Sequence, residues 1–228
     1  NHDLFLARLP AGESGANLEK RHVGKAARLI AGGSLQQAGQ QVGAHVAHVR
    51  RNRVLQPRRI GAAPKERRVA LITGGARGIG RAAAIRIAEE GRDIIIADIL
   101  HREAGETVAA IEALGQDALY IETDVSDEAA VHAAVQQAVE RFGRLDILVC
   151  CAGILGWEKP FLEQTAEQFN KVMGINVYGV YHAHQAAIPH MLKGGWGRCV
   201  SITSGARRGG PDQVPYCVSK AAVYTFVQ

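Results

Sequence analysis

The chain has 228 residues, of which 47% are hydrophobic, 21% charged and 5% aromatic, a composition that supports one sizeable buried core. No apolar run approaches the roughly 18–20 residues of a membrane helix, so we expect no membrane partner, and glycine without a period of three argues against a collagen-like chain. The net charge of +5 is uneven, because residues 1–65 hold 11 Lys and Arg against 3 Asp and Glu, whereas residues 66–228 hold 16 against 19.

The first 65 residues are predicted to form a basic arm, disordered or loosely helical, ahead of a mildly acidic domain at 66–228. Within the arm, residues 34–51 place two glycines ahead of Arg50 and Arg51, a spacing that loosely resembles a helix-turn-helix. The pattern is short, so a DNA-binding arm is kept as an alternative and no nucleic-acid partner is assigned. Because the chain starts at Asn1 without the apolar stretch of a signal peptide, we expect a fragment or a processed end, and a cytoplasmic location.

From residue 66 onward, strand-like and helix-like segments alternate. Apolar runs predict strands at 68–73, 93–99, 118–123, 145–151 and 198–203, and helical spacing predicts helices at 78–90, 105–114, 127–142 and 165–192. Asp127 and Thr165 stand where N-caps belong, and Gln168 gives Thr165 the spacing of a capping box. This alternation indicates βαβ units and a parallel sheet, and therefore an α/β fold.

A glycine-rich turn, TGGARGIG at residues 73–80, joins the first of these strands to the first helix. Gly74 suits a tight turn, Gly78 lets a pyrophosphate approach the backbone, and Gly80 lets the helix pack closely on the strand. The helix start then offers free N–H groups and a partial positive charge to phosphates. Taken alone, the motif fits a plain strand-to-helix turn equally well.

Asp98 ends the second strand of the domain, 18 residues after Gly80. A carboxylate there accepts hydrogen bonds from both ribose hydroxyls of NAD and repels the 2′-phosphate of NADP. Arg77 and Arg102 could offset that repulsion. NAD is therefore the preferred cofactor and NADP the alternative.

Tyr216 and Lys220 are four residues apart at the head of the last helical stretch, so they share one helix face. A free tyrosine has a pKa of about 10, too high for proton transfer at neutral pH. A neighbouring ammonium favours the phenolate, which makes the tyrosine a usable acid or base. The alternative is a surface lysine beside a half-buried tyrosine.

In chain order these motifs resemble the short-chain dehydrogenase/reductase family, from about residue 67 to the last residue. The matching positions are 73–80, Asp98, Asp124-Val125, Ala152-Gly153, Asn176-Val177 with Gly179, Ser204, and Tyr216 with Lys220. The resemblance implies a doubly wound Rossmann fold and an oxidoreductase that transfers a hydride between a nicotinamide cofactor and a secondary alcohol or ketone. A cofactor-binding module without catalysis is the alternative function.

The resemblance also implies roles for single residues. Tyr216 transfers the proton of the substrate oxygen, Lys220 holds the nicotinamide ribose and lowers the tyrosine pKa, Ser204 hydrogen-bonds the substrate, and Asn176 holds a water of the proton relay. The implied cofactor contacts are Gly74, Arg77, Gly78, Ile79, Gly80, Asp98, Asp124, Val125, Ala152 and Gly153, together with Tyr216 and Lys220. No metal site is predicted, because no Cys and His spacing suits a ligand set.

Two positions depart from the family pattern. Cys150 and Cys151 stand where the family usually has two asparagines; since neighbouring strand residues point to opposite faces, we expect small buried thiols without a mutual disulfide, with a redox switch as the alternative. Ser204 lies 12 residues before Tyr216, one fewer than the commonest family spacing, which Thr203 would satisfy. The preceding residues align Ser204 with the family serine, so Ser204 is preferred.

We expect the substrate to be a small alcohol or ketone, and the sequence does not identify the compound. Arg207 and Arg208 follow the serine and are interpreted as a solvated loop, with contact to an anionic substrate as the alternative. The family continues with two more strands and a loop over the substrate, so we expect the chain to be the front part of such an enzyme. The resemblance further implies a homo-oligomer, a dimer or a tetramer, for the full-length enzyme.

Overall fold

The computed structural model describes residues 67–210 and 212–228, together with the backbone of residues 44–47. The strands are β1 (Ala44–Ala47), β2 (Val69–Thr73), β3 (Asp93–Asp98), β4 (Ala118–Glu122), β5 (Ile147–Cys150) and β6 (Arg198–Ile202). The α-helices are α1 (Gly78–Glu89), α2 (His101–Glu112), α3 (Glu128–Phe142), α4 (Ala166–Met173), α5 (Gly179–Gly194) and α6 (Val214–Phe226). A π-helical turn (Gly174–Tyr178) and two 3₁₀-helices (Phe161–Glu163 and Gly205–Arg208) lie between them.

The strands form one sheet in the order β1-β6-β5-β2-β3-β4. Strands β2 to β6 pair in parallel, and β1 adds to the edge of β6 in the antiparallel direction. Every residue of β2, β3 and β5 is buried. Helices therefore cover both faces of these strands, which is why their sequences are continuous apolar runs rather than alternating ones. The predicted α/β fold with a parallel sheet is confirmed.

The two faces of the sheet carry separate apolar cores, because successive strand residues point to opposite sides. On one face, Val69 and Leu71 of β2 pack with the buried residues of α3 and α5. On the other, Ala70 and Ile72 pack with those of α1 and α2. The central strands are thereby fixed from both sides, and their carboxyl ends are held at one edge of the sheet.

Strand β2 lies at the centre of the sheet, between β3 and β5. Its first amide is bound by a carboxylate that directly precedes the neighbouring strand β5, since Val69 N–H donates to Asp146 Oδ2 at 2.9 Å. Asp146 is itself held by Arg144, through Nε at 2.7 Å and Nη2 at 2.8 Å. After β2 the chain continues to β3 on one side of β2, and it later returns to place β5 on the other side. The connections that leave β2 and β5 therefore diverge, and a crevice opens between the carboxyl ends of these two strands.

Two predicted N-caps are confirmed. Asp127 accepts hydrogen bonds from the N–H groups of Ala129 and Ala130 at the start of α3. Thr165 and Gln168 form a reciprocal capping box at the start of α4. Each satisfies backbone donors that the helix itself leaves free, so the sequence signal and the structural cause are the same.

Two predicted helices differ from the structure. The helix expected at 105–114 begins four residues earlier, at His101. Its first two residues, His101 and Arg102, are polar and exposed, so the spacing of apolar residues did not reveal them. The helix expected at 165–192 is not continuous: α4 ends at Met173, and the π-helical turn separates it from α5. A π-turn inserts one residue into the helical repeat, and this insertion turns Asn176 into the interior.

Strand β1 lies within residues 34–51, where the helix-turn-helix alternative requires a helix. Ala44–Ala47 instead pairs with residues 199–202 of β6, so a helical interpretation of these four residues is wrong. The sequence AHVA is too short to specify a helix, and the edge of β6 offers its backbone hydrogen-bond partners. The rest of the arm and the boundary at residue 65 lie outside the described residues, and the division into arm and domain stays a prediction.

Candidate active site

The glycine-rich turn is shaped by close backbone approach. Gly74 has a φ of +66°, and a Cβ there would lie 2.5 Å from the amide nitrogen of Ala152. A Cβ on Gly80 would overlap the carbonyl oxygen of Gly74 and lie 2.8 Å from its carbonyl carbon. Both positions therefore require glycine, because α1 and the end of β5 are packed directly on the turn.

Gly78 differs from these two glycines because nothing described lies near it. Its φ is +55°, yet a Cβ there would meet no atom within 4 Å. Gly78 is the first residue of α1, and the N-cap Arg77 makes no side-chain capping bond. The first N–H groups of α1 are thus left for an outside acceptor, in an open space beside a positive helix end. This cradle fits the pyrophosphate of a dinucleotide.

Asp98 is oriented by the backbone at the end of β3. Its Oδ2 accepts from Ala76 N–H at 2.9 Å and its Oδ1 from Leu100 N–H at 3.1 Å, and the residue is only 8% exposed. Arg102 pairs with Glu103 at 2.8 Å and Glu106 at 2.9 Å, so its charge is already compensated. The fixed carboxylate without the help of Arg102 favours ribose hydroxyls over a 2′-phosphate.

One cavity of about 520 Å³ joins these features. Ten of the twelve predicted cofactor contacts line it: Gly74, Arg77, Gly78, Ile79, Gly80, Asp98, Asp124, Val125, Ala152 and Gly153. The glycine turn and Asp98 thus open into a single cleft at the carboxyl ends of β2, β3 and β5. Its size and lining suit an extended ligand whose phosphates lie at the glycine turn and whose hydroxylated sugar lies at Asp98.

Lys220 is placed where the cleft meets the helix that carries Tyr216. Its Nζ lies 5.7 Å from the centre of the Tyr216 ring and donates to the carbonyl oxygen of Ile202 at 2.9 Å. Burial lowers the pKa of Lys220 below its ordinary value. A Cβ on Gly153, in the wall of the cleft, would lie 3.7 Å from this Nζ. Lys220 and Tyr216 are not among the residues that line the cavity, and Lys220 is only 7% exposed, so the buried ammonium stands next to the Gly153 wall rather than in the open cleft.

Ser204 and Thr203 are distinguished by their surroundings at the end of β6. Thr203 is 7% exposed and its hydroxyl oxygen has no hydrogen-bond partner in the described part of the chain. Ser204 is half-buried, and its Oγ accepts from Ala206 N–H at 3.2 Å as the cap of the 3₁₀-helix at 205–208. That helix packs against α6. Of the two residues, Ser204 is the more exposed.

Arg207, which follows Ser204, is turned away from an incoming ligand. Its guanidinium lies 4.6 Å from the centre of the Tyr224 ring, and its Nη1 donates to the carbonyl oxygen of Ser204. These contacts hold the guanidinium in place and leave its positive charge unchanged. They give no support to Arg207 as a receptor for an anionic substrate.

Asn176 occupies the π-helical turn and is fully buried. Its Oδ1 accepts from Ile154 N–H at 2.8 Å, and its Nδ2 donates to Ile154 O at 2.9 Å and to Ser219 Oγ at 3.0 Å. Both hydrogens of Nδ2 are thereby used within the protein. The carboxamide binds the loop after β5 to α6, and the predicted water of a proton relay stays a prediction.

The four cysteines are all free, and no disulfide joins Cys150 to Cys151. Burial raises the pKa of Cys150 and raises that of Cys151 to about 12, so both are thiols at neutral pH. Cys150 packs in the core on the α3 and α5 face, while Cys151 lines the cleft. The expectation of a small buried residue holds for Cys150, whereas Cys151 is half-buried in the cleft wall.

The cleft has further lining residues that the sequence did not point to. They are Ala97, Ile99, Leu100, Thr123, Cys151, Ile154, Lys171 and Ile175. Ile99 and Ile154 directly follow predicted contacts, so their neighbours were a usable signal. Lys171 and Ile175 come from the α4 region and reach the cleft only through tertiary packing, which no local pattern reveals.

Comparison with known proteins gives the same assignment for the body of the chain. The family described as short chain dehydrogenase matches residues 68–228. An uncharacterized NAD-dependent oxidoreductase of Mycobacterium tuberculosis is 38% identical over 171 residues, covering 68% of this chain and 62% of that protein. The 2-dehydro-3-deoxy-L-rhamnonate dehydrogenase (NAD(+)) of a Sphingomonas strain is 37% identical over 162 residues, covering 71% and 64%.

A solved structure, that of NAD⁺-bound xylitol dehydrogenase, superposes with a TM-score of 0.68 at 33% identity, covering 70% of this chain and 62% of that one. The chain thus spans less than two thirds of the length of these relatives. The match nevertheless extends from the start of β2 through α6, which includes the glycine turn, Asp98 and the Tyr216–Lys220 helix. The chain belongs to the short-chain dehydrogenase family.

Proposed function

We propose that this chain binds NAD(H) and carries the catalytic groups for interconverting a secondary alcohol and a ketone. The observation that carries the proposal is the position of Lys220, whose Nζ lies beside both the Tyr216 ring and the Gly153 wall of the cleft. A module that only binds a nucleotide needs the glycine turn and Asp98. It has no need of a buried lysine next to a phenol at the same cleft.

The cradle at the start of α1 and the carboxylate of Asp98 would hold the pyrophosphate and the adenosine ribose of NAD(H). When bound, the cofactor supplies the hydride acceptor or donor. Lys220 would bind the second ribose, since its Nζ lies 3.7 Å from where a Cβ on Gly153, a residue of the cleft wall, would stand. NAD is preferred over NADP because Asp98 is fixed by two backbone amides and Arg102 is paired with glutamates.

The protein groups have distinct tasks at the substrate. The Tyr216 hydroxyl gives a proton to the ketone oxygen in reduction and takes it from the alcohol in oxidation. Lys220 stabilises the phenolate that remains, by the attraction of a cation held near the ring. Ser204 would donate to the same substrate oxygen and so fix its direction. The alcohol and the ketone differ by one hydride and one proton, and the proton passes through Tyr216.

The substrate is proposed to be neutral at the reacting end. The guanidinium of Arg207 is held against the Tyr224 ring and the Ser204 carbonyl rather than standing free as an anion receptor. Beyond β5, large apolar side chains are exposed on the segment that leads to α4: Leu155, Trp157, Phe161 and Leu162. An apolar rim of this kind favours a substrate with hydrocarbon surface next to the alcohol.

A homo-oligomer is proposed from the surface of α5 and α6. Tyr178, Tyr181 and Phe226 are 46–58% exposed and border an apolar groove of about 260 Å³. Exposed aromatic side chains around a groove are typical of surfaces that other chains cover. Two copies of this surface would bury them, so a second copy of the chain is the proposed partner.

A reducing compartment such as the cytoplasm is proposed from the four free thiols. No helix in the described part of the chain combines the length and the apolarity that crossing a membrane requires. Nucleic acid is not proposed as a partner.

The test is a titration of the full chain with NADH and with NADPH, followed by turnover assays. Trp157 stacks near Lys171 of the cleft, 6.0 Å from its Nζ, whereas Trp196 lies between Arg68 and Arg198 at the opposite edge of the sheet. Energy transfer from Trp157 to bound NADH is therefore expected, and a Trp196→Phe control should retain it. Absence of saturable binding by either cofactor would refute the cofactor assignment.

Turnover is followed as NADH formation with NAD⁺ and secondary alcohols, xylitol among them. We expect Tyr216→Phe to abolish it and to leave NADH binding within about two-fold, because only the proton donor is removed. Unchanged turnover in the variant would refute the role of Tyr216. NADH binding without turnover of any alcohol or ketone by the unmodified chain would favour the binding-module alternative.

A further inference from the structure

Ser219 stands between Tyr216 and Lys220 on α6 and is fully buried. Its hydroxyl makes two hydrogen bonds: it accepts from Asn176 Nδ2 at 3.0 Å and donates to the carbonyl oxygen of Tyr216 at 2.7 Å. A serine hydroxyl has a single hydrogen, and here that hydrogen is committed to the backbone of the tyrosine. No contact with the cleft is involved, so Ser219 is not one of the reacting groups.

The hydrogen bonds extend from Ser219 to the wall of the cleft. Asn176 holds both the N–H and the C=O of Ile154, at 2.8 and 2.9 Å, and Ile154 lines the cleft next to Gly153. Ile154, Asn176, Ser219 and Tyr216 thus form one continuous series of bonds through three segments: the loop after β5, the π-helical turn and α6. We refer to these four residues as the Ser219 hydrogen-bond network.

The start of α6 has no side-chain cap, since Gln213 makes no capping bond. Contacts with the segment after β5 hold the residues just before the helix: Gln213 donates to Glu158, and Lys159 N–H donates to the carbonyl oxygen of Asp212 at 3.0 Å. Tyr216 lies in the first turn of α6 and Lys220 in the second. The bond between Asn176 and Ser219 joins α6 to an outside element between these two residues, so it acts directly on where their side chains lie.

We propose that Ser219 is a positioning residue for the proposed reaction: through the Ser219 hydrogen-bond network it sets the first two turns of α6, and with them Tyr216 and Lys220, against the Ile154 wall of the cleft. The inference rests on the proposed function for its catalytic meaning. Its structural content, a coupling between α6 and the loop after β5, stands separately. Reaction rates depend steeply on such placement, since small displacements of a proton donor reduce the rate strongly.

Ser219→Ala is the direct test, with Ser201→Ala as its matched control. The change removes the acceptor of Asn176 Nδ2 and leaves one buried N–H without a partner. Ser201 of β6 is equally buried, at 0% exposure, but its hydroxyl contacts only the Cys150 thiol and no nitrogen or oxygen atom in the part of the chain that the structure describes. The two variants lose the same atom from the same degree of burial, and only one of them loses the series of bonds. Ser219→Thr keeps the hydroxyl and serves as the rescuing variant.

Hydrogen–deuterium exchange of the full chain measures the coupling without any substrate. In Ser219→Ala we expect amides of residues 152–156 and 214–220 to exchange at least about five-fold faster, with β2 and β3 unchanged, because the Ile154 and Tyr216 contacts are loosened together. Ser201→Ala should exchange like the unmodified chain in these segments, and Ser219→Thr should restore the slow rate. If residues 152–156 exchange at the unmodified rate in Ser219→Ala, the inference is wrong.

Kinetics separate positioning from general loss of structure. With a turned-over secondary alcohol, we expect Ser219→Ala to lower kcat by about ten-fold while the Kd for NADH changes by less than about three-fold. Equal losses in kcat and in NADH binding, or the same loss in Ser201→Ala, would overturn the inference. If the unmodified chain binds NADH but turns over no alcohol, the proposed function fails, and the exchange experiment still decides the coupling.

Discussion

Replacing Gly80 by alanine, with Gly105→Ala as the matched change, separates the packing requirement of the glycine turn from the general effect of alanine in a helix. Both glycines are inside α-helices, Gly80 in the first turn of α1 and Gly105 in the middle of α2. A Cβ on Gly105 meets nothing within 4 Å, whereas a Cβ on Gly80 would overlap the backbone carbonyl of Gly74. The same methyl group is therefore free in one case and obstructed by backbone in the other.

The expected magnitudes have opposite signs. Alanine in a helix interior is more favourable than glycine by about 0.5–1 kcal/mol, so Gly105→Ala should stabilise the protein by that amount. Gly80→Ala receives the same contribution, but it must displace the backbone of the turn, and overpacking of this kind costs about 1–3 kcal/mol. The obstructing atoms belong to backbone and have no rotamer to change, so the upper part of that range applies. Gly80→Ala should be destabilising by about 1–2 kcal/mol after the helix contribution is subtracted.

The assay is urea unfolding of the full chain and both variants, with NADH binding measured on the same samples. Since m in urea is about 1–3 kcal/mol/M, each kcal/mol should shift the midpoint urea concentration by roughly 0.3–1 M, upward in Gly105→Ala and downward in Gly80→Ala. NADH binding should weaken only in Gly80→Ala, since the displaced turn is the one that forms the phosphate cradle. Equal stability changes of the same sign in the two variants would refute the packing argument.

Three further predictions concern cofactor selectivity, the pH dependence of stability and the accessibility of a thiol. Asp98→Ala should weaken NADH binding and leave NADPH binding equal or stronger, because the carboxylate that accepts ribose hydroxyls and repels a phosphate is removed; a parallel loss for both cofactors, measured by fluorescence titration, would contradict this. Burial lowers the pKa of His184, whose Nε2 is buried without a partner among the described residues. Below about pH 6.5 the unfolded chain therefore binds more protons than the folded chain. The folded state keeps the full stability contribution of neutral His184 above that pH and loses it as the pH falls, with a slope of at most about 1.4 kcal/mol per pH unit for one proton. Urea unfolding between pH 5 and 8 should show a shallower dependence in His184→Leu, and an identical dependence would exclude His184 as the cause. Cys151 is the half-buried thiol that lines the cleft, whereas Cys150 and Cys199 are 3% and 1% exposed, so Cys151 should be the first of these three to react with a thiol reagent, and saturating NADH should slow it by several-fold. Mass spectrometry of the labelled chain identifies the site, and labelling of Cys151 that NADH leaves unchanged would contradict its position in the cleft.

The sequence predicted the features of the fold and the cleft that depend on local chemistry. Thr165 and Asp127 were predictable as caps because a capping side chain bonds to amides two or three residues away. Gly74 and Asp98 were predictable because a turn requires glycine and because the end of a buried strand rarely carries a carboxylate without a use.

The remaining features depend on contacts between distant segments. The π-helical turn at Asn176 was not predictable, since the residues from 165 to 192 read as one long helix and the interruption is stabilised by Ile154 and Ser219 from elsewhere. Lys171 reaches the cleft for the same kind of reason. The pairing of Ala44–Ala47 with β6 likewise depends on an open strand edge about 150 residues away, as the register shows.

The central position of β2 has a consequence for the order in which the chain is assembled on the ribosome. One edge of β2 pairs with β3 soon after both emerge, but the other edge waits for β5, whose flanking Asp146 lies 77 residues after Val69. At synthesis rates of about 5–20 residues per second, this apolar edge stays open for about 4–15 s. During that interval VALIT is a strand of high β-propensity with unpaired N–H and C=O groups, the condition under which nascent chains pair with one another. Strand β2 is thus open to pairing with other nascent chains while the protein is being made, although every one of its residues is buried once folding is complete.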